Sequence, residues 1–200
     1  LSASFRNDGR LLAVGTDAGE ARVCDVTMRA TLSTFSANAF PVRSLKWFRN
    51  GQYIFAGGDD GVARIWDLGS TEKTKPLVSL VGHGDVIRCT DLWQETKKAI
   101  DNVSEVEWKE LAATGSYDHT IRIWNVGKIE SPDGDDKKEP RCLATLTHGN
   151  PVEAICFLES SDASVPVWLL STGGTTIKVW NPLSGQCFGT YTTHHRKTIT

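Results

Sequence analysis

The chain has 200 residues, of which 40% are hydrophobic and 23% are charged, and its formal net charge at pH 7 is −2. This length and composition are typical of a globular protein that buries a sizeable core. The nearly balanced charge excludes a global basic field for nucleic acid or anionic membrane, and no apolar run approaches the roughly 20 residues of a membrane-spanning helix.

Four copies of one unit of short alternating strands, labelled a to d in each copy, follow one another along the chain. The first unit predicts strands at 1–5, 11–16, 20–26 and 31–35, and the second at 42–48, 53–56, 62–68 and 77–81. The third predicts strands at 86–93, 113–116, 120–124 and 142–146, and the fourth at 152–158, 167–171, 175–180 and 187–192. Residues 197–200 resemble the first strand of a fifth unit.

Polar insertions lengthen the third and fourth units. They lie at 94–109, 127–140 and 159–166, and all three fall in a–b or c–d loops. In an up-and-down antiparallel sheet these loops share one edge, here called the a–b rim. The b–c and d–a loops form the opposite edge, here called the b–c rim, and the sequence predicts that this rim stays short.

The third unit carries four polar residues that can satisfy one another. Ser116 and Asp118 flank its b–c turn, Trp124 ends its strand c, and His83 precedes it. The indole N–H can donate to the serine hydroxyl, that hydroxyl to the histidine, and the histidine to the carboxylate. We therefore predict a buried structural network. A Ser-His-Asp hydrolase is the alternative, which we disfavour because the tryptophan would bury the serine hydroxyl.

The other units carry this network incompletely. Counting back from the strand-c anchor, Ala18 and Gly174 replace the aspartate, and Gly58 replaces the hydroxyl in the second unit. In the fourth unit Thr172 is the expected hydroxyl and His148 the expected histidine. We expect the incomplete units to depend more on apolar packing.

The Gly82-His83 pair, the turn at Asp118 and the ending Ile123-Trp124-Asn125 resemble the WD-repeat unit. The resemblance implies an all-β WD-repeat β-propeller, of which this chain holds about four consecutive blades of a seven-bladed ring. The implied blades are 1–36, 37–82, 83–147 and 148–193, and 194–200 would start the next. We expect further blades on both sides, with any targeting segment outside these residues.

Four longer segments, read in order, carry a finer resemblance: GRLLAVGTDAGEARVCDV, ATGSYDHTIRIWN, HGNPVEAICFL and STGGTTIKVWNPLSGQ. Cys24 in place of tryptophan, the run from His148 to Glu153 and the turn at Gly173-Gly174 are less generic than the WD unit itself. Together these features resemble the WD-repeat subunits of the small-subunit processome, which gathers on nascent pre-ribosomal RNA.

This resemblance implies a non-catalytic scaffold in the nucleus and nucleolus. Its role would be pre-18S rRNA processing and small-subunit assembly, with a link to rDNA transcription. The implied partners are other processome subunits, pre-ribosomal RNA and the U3 snoRNP, with RNA contact direct or indirect. The alternative is a WD-repeat scaffold of another nuclear complex, such as a ubiquitin-ligase substrate receptor or a chromatin complex. An enzyme is the last choice.

The densest basic cluster consists of His194, His195, Arg196 and Lys197, in a d–a loop of the b–c rim. One hypothesis is that it contacts RNA phosphates or a partner protein, which needs only local positive charge. The simpler interpretation, which we favour, is a solvated loop with one structural histidine. A looser basic set consists of Arg43, Lys46 and Arg49.

The remaining candidates for chemistry are interpreted structurally. The adjacent Asp59 and Asp60 belong to a turn, where neighbours point apart. The five cysteines are odd in number and show no metal-ligand spacing, so we expect buried free thiols. We assign five aromatic residues to inter-blade packing rather than to a ligand cage: Trp47, Phe48, Trp93, Phe157 and Trp168. No cofactor, metal, membrane or small-molecule substrate is expected.

Overall fold

The computed structural model describes residues 2–36, 40–94, 110–127, 140–160, 167–192 and 197–199. These residues form sixteen β-strands and no helix. The strands make four four-stranded sheets in which neighbours in sequence pair antiparallel. The predicted all-β architecture of four repeated blades is confirmed, whereas the number of blades in a closed ring stays a prediction.

The four sheets follow one another along the chain. The first contains β1 (Ser2–Phe5), β2 (Leu11–Gly15), β3 (Glu20–Asp25) and β4 (Ala30–Ser36). The second contains β5 (Val42–Trp47), β6 (Tyr53–Gly58), β7 (Val62–Asp67) and β8 (Val78–Val81). The third contains β9 (Ile87–Gln94), β10 (Glu110–Ser116), β11 (Thr120–Asn125) and β12 (Arg141–Thr147). The fourth contains β13 (Ala154–Glu159), β14 (Val167–Gly173), β15 (Thr176–Trp180) and β16 (Cys187–Thr192).

The third sheet differs most from its sequence prediction. Its second strand begins at Glu110, three residues earlier than the predicted start, because Glu110 pairs with Gln94 at the far end of the β9–β10 ladder. Most of the predicted insertions, at 95–109, 128–139 and 161–166, lies outside the described residues.

The hydrophobic core consists of three clusters, and each cluster is shared by two neighbouring sheets. Leu11 and Phe35 of the first sheet pack with Leu45 and Trp66 of the second. Phe55 of the second packs with Trp124 of the third in another cluster, and the last cluster joins the third sheet to the fourth. Because side chains alternate across a strand, each inner sheet buries one face against each neighbour. A single sheet therefore has no complete core of its own.

Glycines at the ends of the second strands let the next blade approach closely. A Cβ on Gly115 would lie 2.6 Å from Cys89 Sγ and 2.6 Å from Val152 Cγ1, the latter in the fourth blade. A Cβ on Gly57 would lie 2.5 Å from Ile87 Cγ2 in the third blade. A backbone hydrogen bond joins the third and fourth blades beside Gly115, since Val152 N–H donates to Ser116 C=O at 3.0 Å. The glycines thus set the spacing between sheets.

Polar contacts between the first strands of successive blades add to this packing. The Ser44 and Thr90 hydroxyl oxygens lie 2.9 Å apart and join the second and third blades. Asp91 pairs with Lys46 at 3.2 Å on one side and accepts the backbone N–H of Phe157 at 2.8 Å on the other. Asp91 therefore connects three blades.

The last described segment continues the same pattern. Ile199 N–H donates to Gly174 C=O at 2.9 Å, and Thr172 Oγ1 donates to Ile199 C=O at 3.3 Å. This contact resembles the bond from Val42 N–H to Thr16 C=O between the first two blades, at 3.0 Å. Residues 197–199 thus occupy the position at which a following strand a would begin.

Two packing predictions are partly wrong. All five cysteines are free, but only Cys89 is buried, while Cys156 and Cys187 are exposed on their strands. Among the five aromatic residues assigned to packing, Trp168 is only partly buried and meets Phe188 edge-on, with ring centroids 4.7 Å apart. The other four are buried.

We predict that Gly115→Ala destabilises the protein by about 1–3 kcal/mol, because the added methyl group overpacks the contact between the third and fourth blades. Gly84→Ala is the matched control, since a Cβ there would meet only Asp118 Cβ, at 4.0 Å. Urea unfolding of the two variants measures the difference. Equal unfolding free energies would contradict the close inter-blade contact.

Candidate functional site

The polar residues singled out in the third blade lie between the second and third sheets. Trp124 Nε1 donates to Thr114 Oγ1 at 3.0 Å, and His83 Nε2 lies 2.7 Å from the same hydroxyl. His83 Nδ1 lies 2.8 Å from Asp118 Oδ2. Asp118 also accepts the backbone N–H groups of Gly84 and Thr120. The d–a loop, the b–c turn and both central strands meet in this chain of bonds.

One arrangement of protons satisfies every member of the chain. The indole N–H donates to the Thr114 hydroxyl, which donates to Nε2 of a neutral His83, and Nδ1–H donates to the Asp118 carboxylate. Burial lowers the pKa of His83, although its bond to Asp118 opposes that shift. Burial would raise the pKa of Asp118, but bonds from Thr120, Gly84 and His83 outweigh it and lower the pKa to about 2. The pair is therefore a neutral imidazole and a carboxylate at neutral pH.

The predicted hydroxyl was the wrong one, because Thr114 and not Ser116 joins Trp124 to His83. Trp124 pairs with Ala112 across the sheet, so the nearest same-face hydroxyl is two residues further on, at Thr114. Ser116 lies four residues beyond Ala112, about 13 Å along the strand. Its hydroxyl instead donates to Asp85 C=O at 3.0 Å and accepts Asp118 N–H at 3.1 Å.

This set has the groups of a hydrolase but lacks access to a substrate. Thr114 and Ser116 are both 0% exposed, and a nucleophile must present its hydroxyl to the substrate beside an oxyanion hole. Each hydroxyl is also held by two hydrogen bonds within the fold. The arrangement fixes the d–a loop and the b–c turn in place.

The other blades keep only parts of the network. In the fourth blade Trp180 Nε1 donates to Ser171 Oγ at 2.8 Å. The expectation for Thr172 was therefore wrong, because Trp180 pairs with Leu169 and the hydroxyl two residues further on belongs to Ser171. In the second blade Trp66 Nε1 is buried without a partner among the described residues, because its diagonal neighbour is Ala56, which has no hydroxyl.

His148 is the histidine of the incomplete fourth blade. It is 1% exposed, and both ring nitrogens lack a hydrogen-bond partner in the described part of the chain. The aspartate that holds His83 is replaced here by Gly174. Burial lowers the pKa of His148, and the nearby Lys178 ammonium lowers it further.

The sequence analysis missed a basic side chain that recurs in strand c of every blade. Two residues before each anchor stands a basic side chain: Arg22, Arg64, Arg122 and Lys178. Lys178 Nζ donates to His148 C=O at 2.7 Å, which ties strand c to the d–a loop. A Cβ on Gly82 would lie 2.6 Å from Arg122 Nη1, so the arginine of strand c lies against the glycine of the Gly-His pair. The spacing from the anchors was visible in the sequence.

The structure describes only part of the two basic sets that the sequence singles out. His194, His195 and Arg196 lie outside the described residues, whereas Lys197 is described and exposed. The looser basic set does not form one surface. Arg43 and Lys46 pair with Asp59 and Asp91, respectively, and Arg49 lies in the a–b turn of its blade, on the opposite rim.

The acidic turn pair is divided between two arginines. Asp59 pairs with Arg43 at 2.6 Å, and Asp60 pairs with Arg64. Asp60 also accepts Val62 N–H at 3.2 Å, as a turn residue does. No group of three potential metal ligands occurs within the described ranges, and the same residues contain no helix long and apolar enough to cross a membrane.

We predict that Thr114→Val destabilises the protein by about 2–4 kcal/mol, because it leaves the Trp124 N–H and His83 Nε2 unpaired in a buried site. Thr147→Val is the matched control on an exposed strand position and should change the unfolding free energy by less than about 0.5 kcal/mol. Thermal and urea unfolding measure both variants. Similar small effects at the two positions would refute the network.

We predict that His148 makes the protein less stable as the pH falls below about 6.5, its ordinary pKa. Its pKa in the folded state is lower than that value, so the unfolded state binds the proton first and the unfolding free energy falls, by at most about 1.4 kcal/mol per pH unit. In His148→Leu this component should disappear. In His119→Asn, which changes an exposed residue at φ 69°, the pH dependence should persist. Urea unfolding between pH 7.5 and 5 measures it, and an unchanged slope in His148→Leu would contradict the assignment.

Known proteins match both the repeats and the whole chain. The WD domain, G-beta repeat family matches residues 29–67 and 74–125. The U3 small nucleolar RNA-associated protein 15 homolog of Xenopus tropicalis is 30% identical over 98% of this chain and 32% of its own length. The U3 small nucleolar RNA-associated protein 15 of Saccharomyces cerevisiae is 29% identical over 92% of this chain and 31% of its own length.

A protein with a different name also matches. The nuclear distribution protein PAC1-2 of Uncinocarpus reesii is 27% identical over 86% of this chain and 38% of its own length. The chain thus spans about a third of the length of these curated relatives. The repeat matches agree with four antiparallel sheets and with the Trp124 network. The chain therefore contains WD repeats at residues 29–67 and 74–125, and its four four-stranded antiparallel sheets have the architecture of WD-repeat propeller blades.

Proposed function

We propose that this protein is a non-catalytic scaffold subunit of the small-subunit processome that acts in pre-18S rRNA processing in the nucleolus. The observation that carries the proposal is the similarity to U3 small nucleolar RNA-associated protein 15 homologues, at 30% identity over 98% of the chain in one case. The similarity extends from a frog to yeast. Those names associate the relatives with U3 small nucleolar RNA, and the role of the whole protein is our extension.

The arrangement of polar groups supports a scaffold rather than an enzyme. The histidine, hydroxyl and carboxylate that could perform chemistry are bonded to one another inside the fold. WD-repeat sheets leave their loops on two rims, and such rims serve as binding surfaces. Binding through the rims would suit a subunit that holds other subunits together.

The basic cluster of the b–c rim is the proposed contact with pre-ribosomal RNA or an acidic partner subunit. Arg196 and Lys197 have the length to reach phosphates, and Lys197 is exposed. His194 and His195 would contribute less, because ordinary histidines are largely neutral near pH 7. Two other cations of this rim are already paired, Arg43 with Asp59 and Arg88 with Glu153.

A scaffold role in another assembly is the second candidate. The observation that favours it is the similarity to nuclear distribution protein PAC1-2, at 27% identity over 86% of the chain. WD-repeat folds serve many unrelated complexes, so the proteins and RNA that accompany the molecule distinguish the two candidates.

We predict that the full-length protein, purified with an affinity tag from cells, carries U3 small nucleolar RNA and pre-18S rRNA. Sequencing of the eluted RNA and mass spectrometry of the eluted proteins provide the measurement. An unrelated WD-repeat protein with the same tag is the control. Recovery of a defined complex without enrichment of either RNA would favour the second candidate and reject the processome role.

We predict that Arg196→Gln together with Lys197→Gln weakens RNA crosslinking and leaves the melting temperature nearly unchanged. Each lost phosphate contact should flatten the dependence of log affinity on log salt by about one unit. Lys75→Gln together with Arg141→Gln is the matched control, since both residues are exposed and flank strands at the a–b rim. Equal crosslinking by the two double variants would mean that the basic cluster does not contact RNA and is an ordinary solvated loop.

A further inference from the structure

A cavity of about 280 Å³ opens at the a–b rim, where first strands of neighbouring blades end. Its walls include Trp47 at the end of β5, Trp93 near the end of β9, and Phe157 and Glu159 at the end of β13. Glu110, the first residue of β10, and Asn7 of the first blade also line it. The cavity thus draws on four successive blades. Cavities that hold drug-sized ligands measure about 300–1,000 Å³, so this one suits a single side chain.

The apolar part of the cavity is aromatic and rigid. Trp47, Trp93 and Phe157 are each less than 10% exposed, which marks them as fixed parts of the core. Trp47 Nε1 donates to Ser4 C=O at 2.8 Å, and the Arg6 guanidinium lies 5.9 Å from the centre of the Trp47 ring. Aromatic faces attract cations, and the Trp47 ring already has the guanidinium of Arg6 beside it.

Glu110 is the unusual polar group of the cavity. It is partly buried, and its carboxylate has no hydrogen bond or ion pair among the described residues. Burial alone raises the pKa of Glu110. A carboxylate removed from water is normally compensated by a partner, and glutamine would cost less at the same position. Glu159 supplies a second carboxylate, on an exposed residue.

We propose that this cavity binds a lysine or arginine side chain of a partner protein. The aromatic walls accept its methylenes and cation, and Glu110 and Glu159 neutralise its charge. Arg49 lies at the exposed edge of the cavity, so the lining sets one positive charge against the two negative charges of Glu110 and Glu159. Two carboxylates repel phosphates, so the cavity favours a polypeptide over RNA. The proposal is independent of which assembly the protein joins.

The test uses the full-length protein and fluorescein-labelled five-residue peptides, Gly-Ser-Xaa-Ser-Gly, in which the central residue is lysine, arginine, norleucine or glutamate. Fluorescence anisotropy should show binding of the lysine or arginine peptide and none of the other two. Glu110→Gln should weaken that binding about tenfold, as the loss of a charge-assisted contact implies, and should leave the melting temperature equal or higher. Glu159→Gln provides a second variant with the same expectation for binding.

Glu72→Gln is the matched control, because it removes the same charge from an exposed loop residue away from the cavity. It should change the affinity less than twofold. Equal binding of the norleucine peptide, or equal affinities of Glu110→Gln and Glu72→Gln, would overturn the proposal. So would an RNA oligonucleotide that competes with the peptide for the site.

Discussion

Burial of each sheet against its neighbour is the constraint on which the rest of this structure depends. Every core cluster takes residues from two sheets, so no blade is complete alone. The contact is close because glycines such as Gly57 leave space for the strand of the next blade, where Ile87 fills it. Burying one such isoleucine contributes about 1.5–3 kcal/mol. The spacing that these contacts impose fixes where the loops emerge, and hence what each rim can present.

This constraint also decides which polar groups remain for function. Groups near an inter-blade surface must be satisfied internally, as Thr114, His83 and Asp118 satisfy one another. Where the sequence departs from that pattern, the polar atoms stay unpaired, as in Trp66 and His148 among the described residues. At the rims, side chains such as Lys197 and Glu110 reach solvent or a cavity, which is why we propose the contacts with partners there. A binding role follows more naturally from this division than a catalytic one.

Much of the fold was predictable, because alternating polarity and turn residues are local signals. These signals predicted the four units and placed His83, Asp118 and Trp124 near one turn. The choice between Thr114 and Ser116 was not predictable, because it depends on Trp124 standing opposite Ala112, and the sequence does not display pairing register. The length of β5 also separates Arg43 from Arg49, because Arg43 lies near the start of the strand and Arg49 in the turn beyond its end. The cavity at Glu110 was missed because its walls come from four blades.

A double-mutant cycle at the contact between Gly57 and Ile87 tests the inter-blade constraint most directly. Gly57→Ala should destabilise the full-length protein by overpacking, and Ile87→Ala by leaving a cavity, with Ile87 0% exposed in the wild type. A methyl group on residue 57 should be tolerated once the isoleucine is shortened, so the double variant should be more stable than the sum of the single effects by about 1 kcal/mol or more. Strict additivity in urea unfolding would mean that the two blades do not meet at this point.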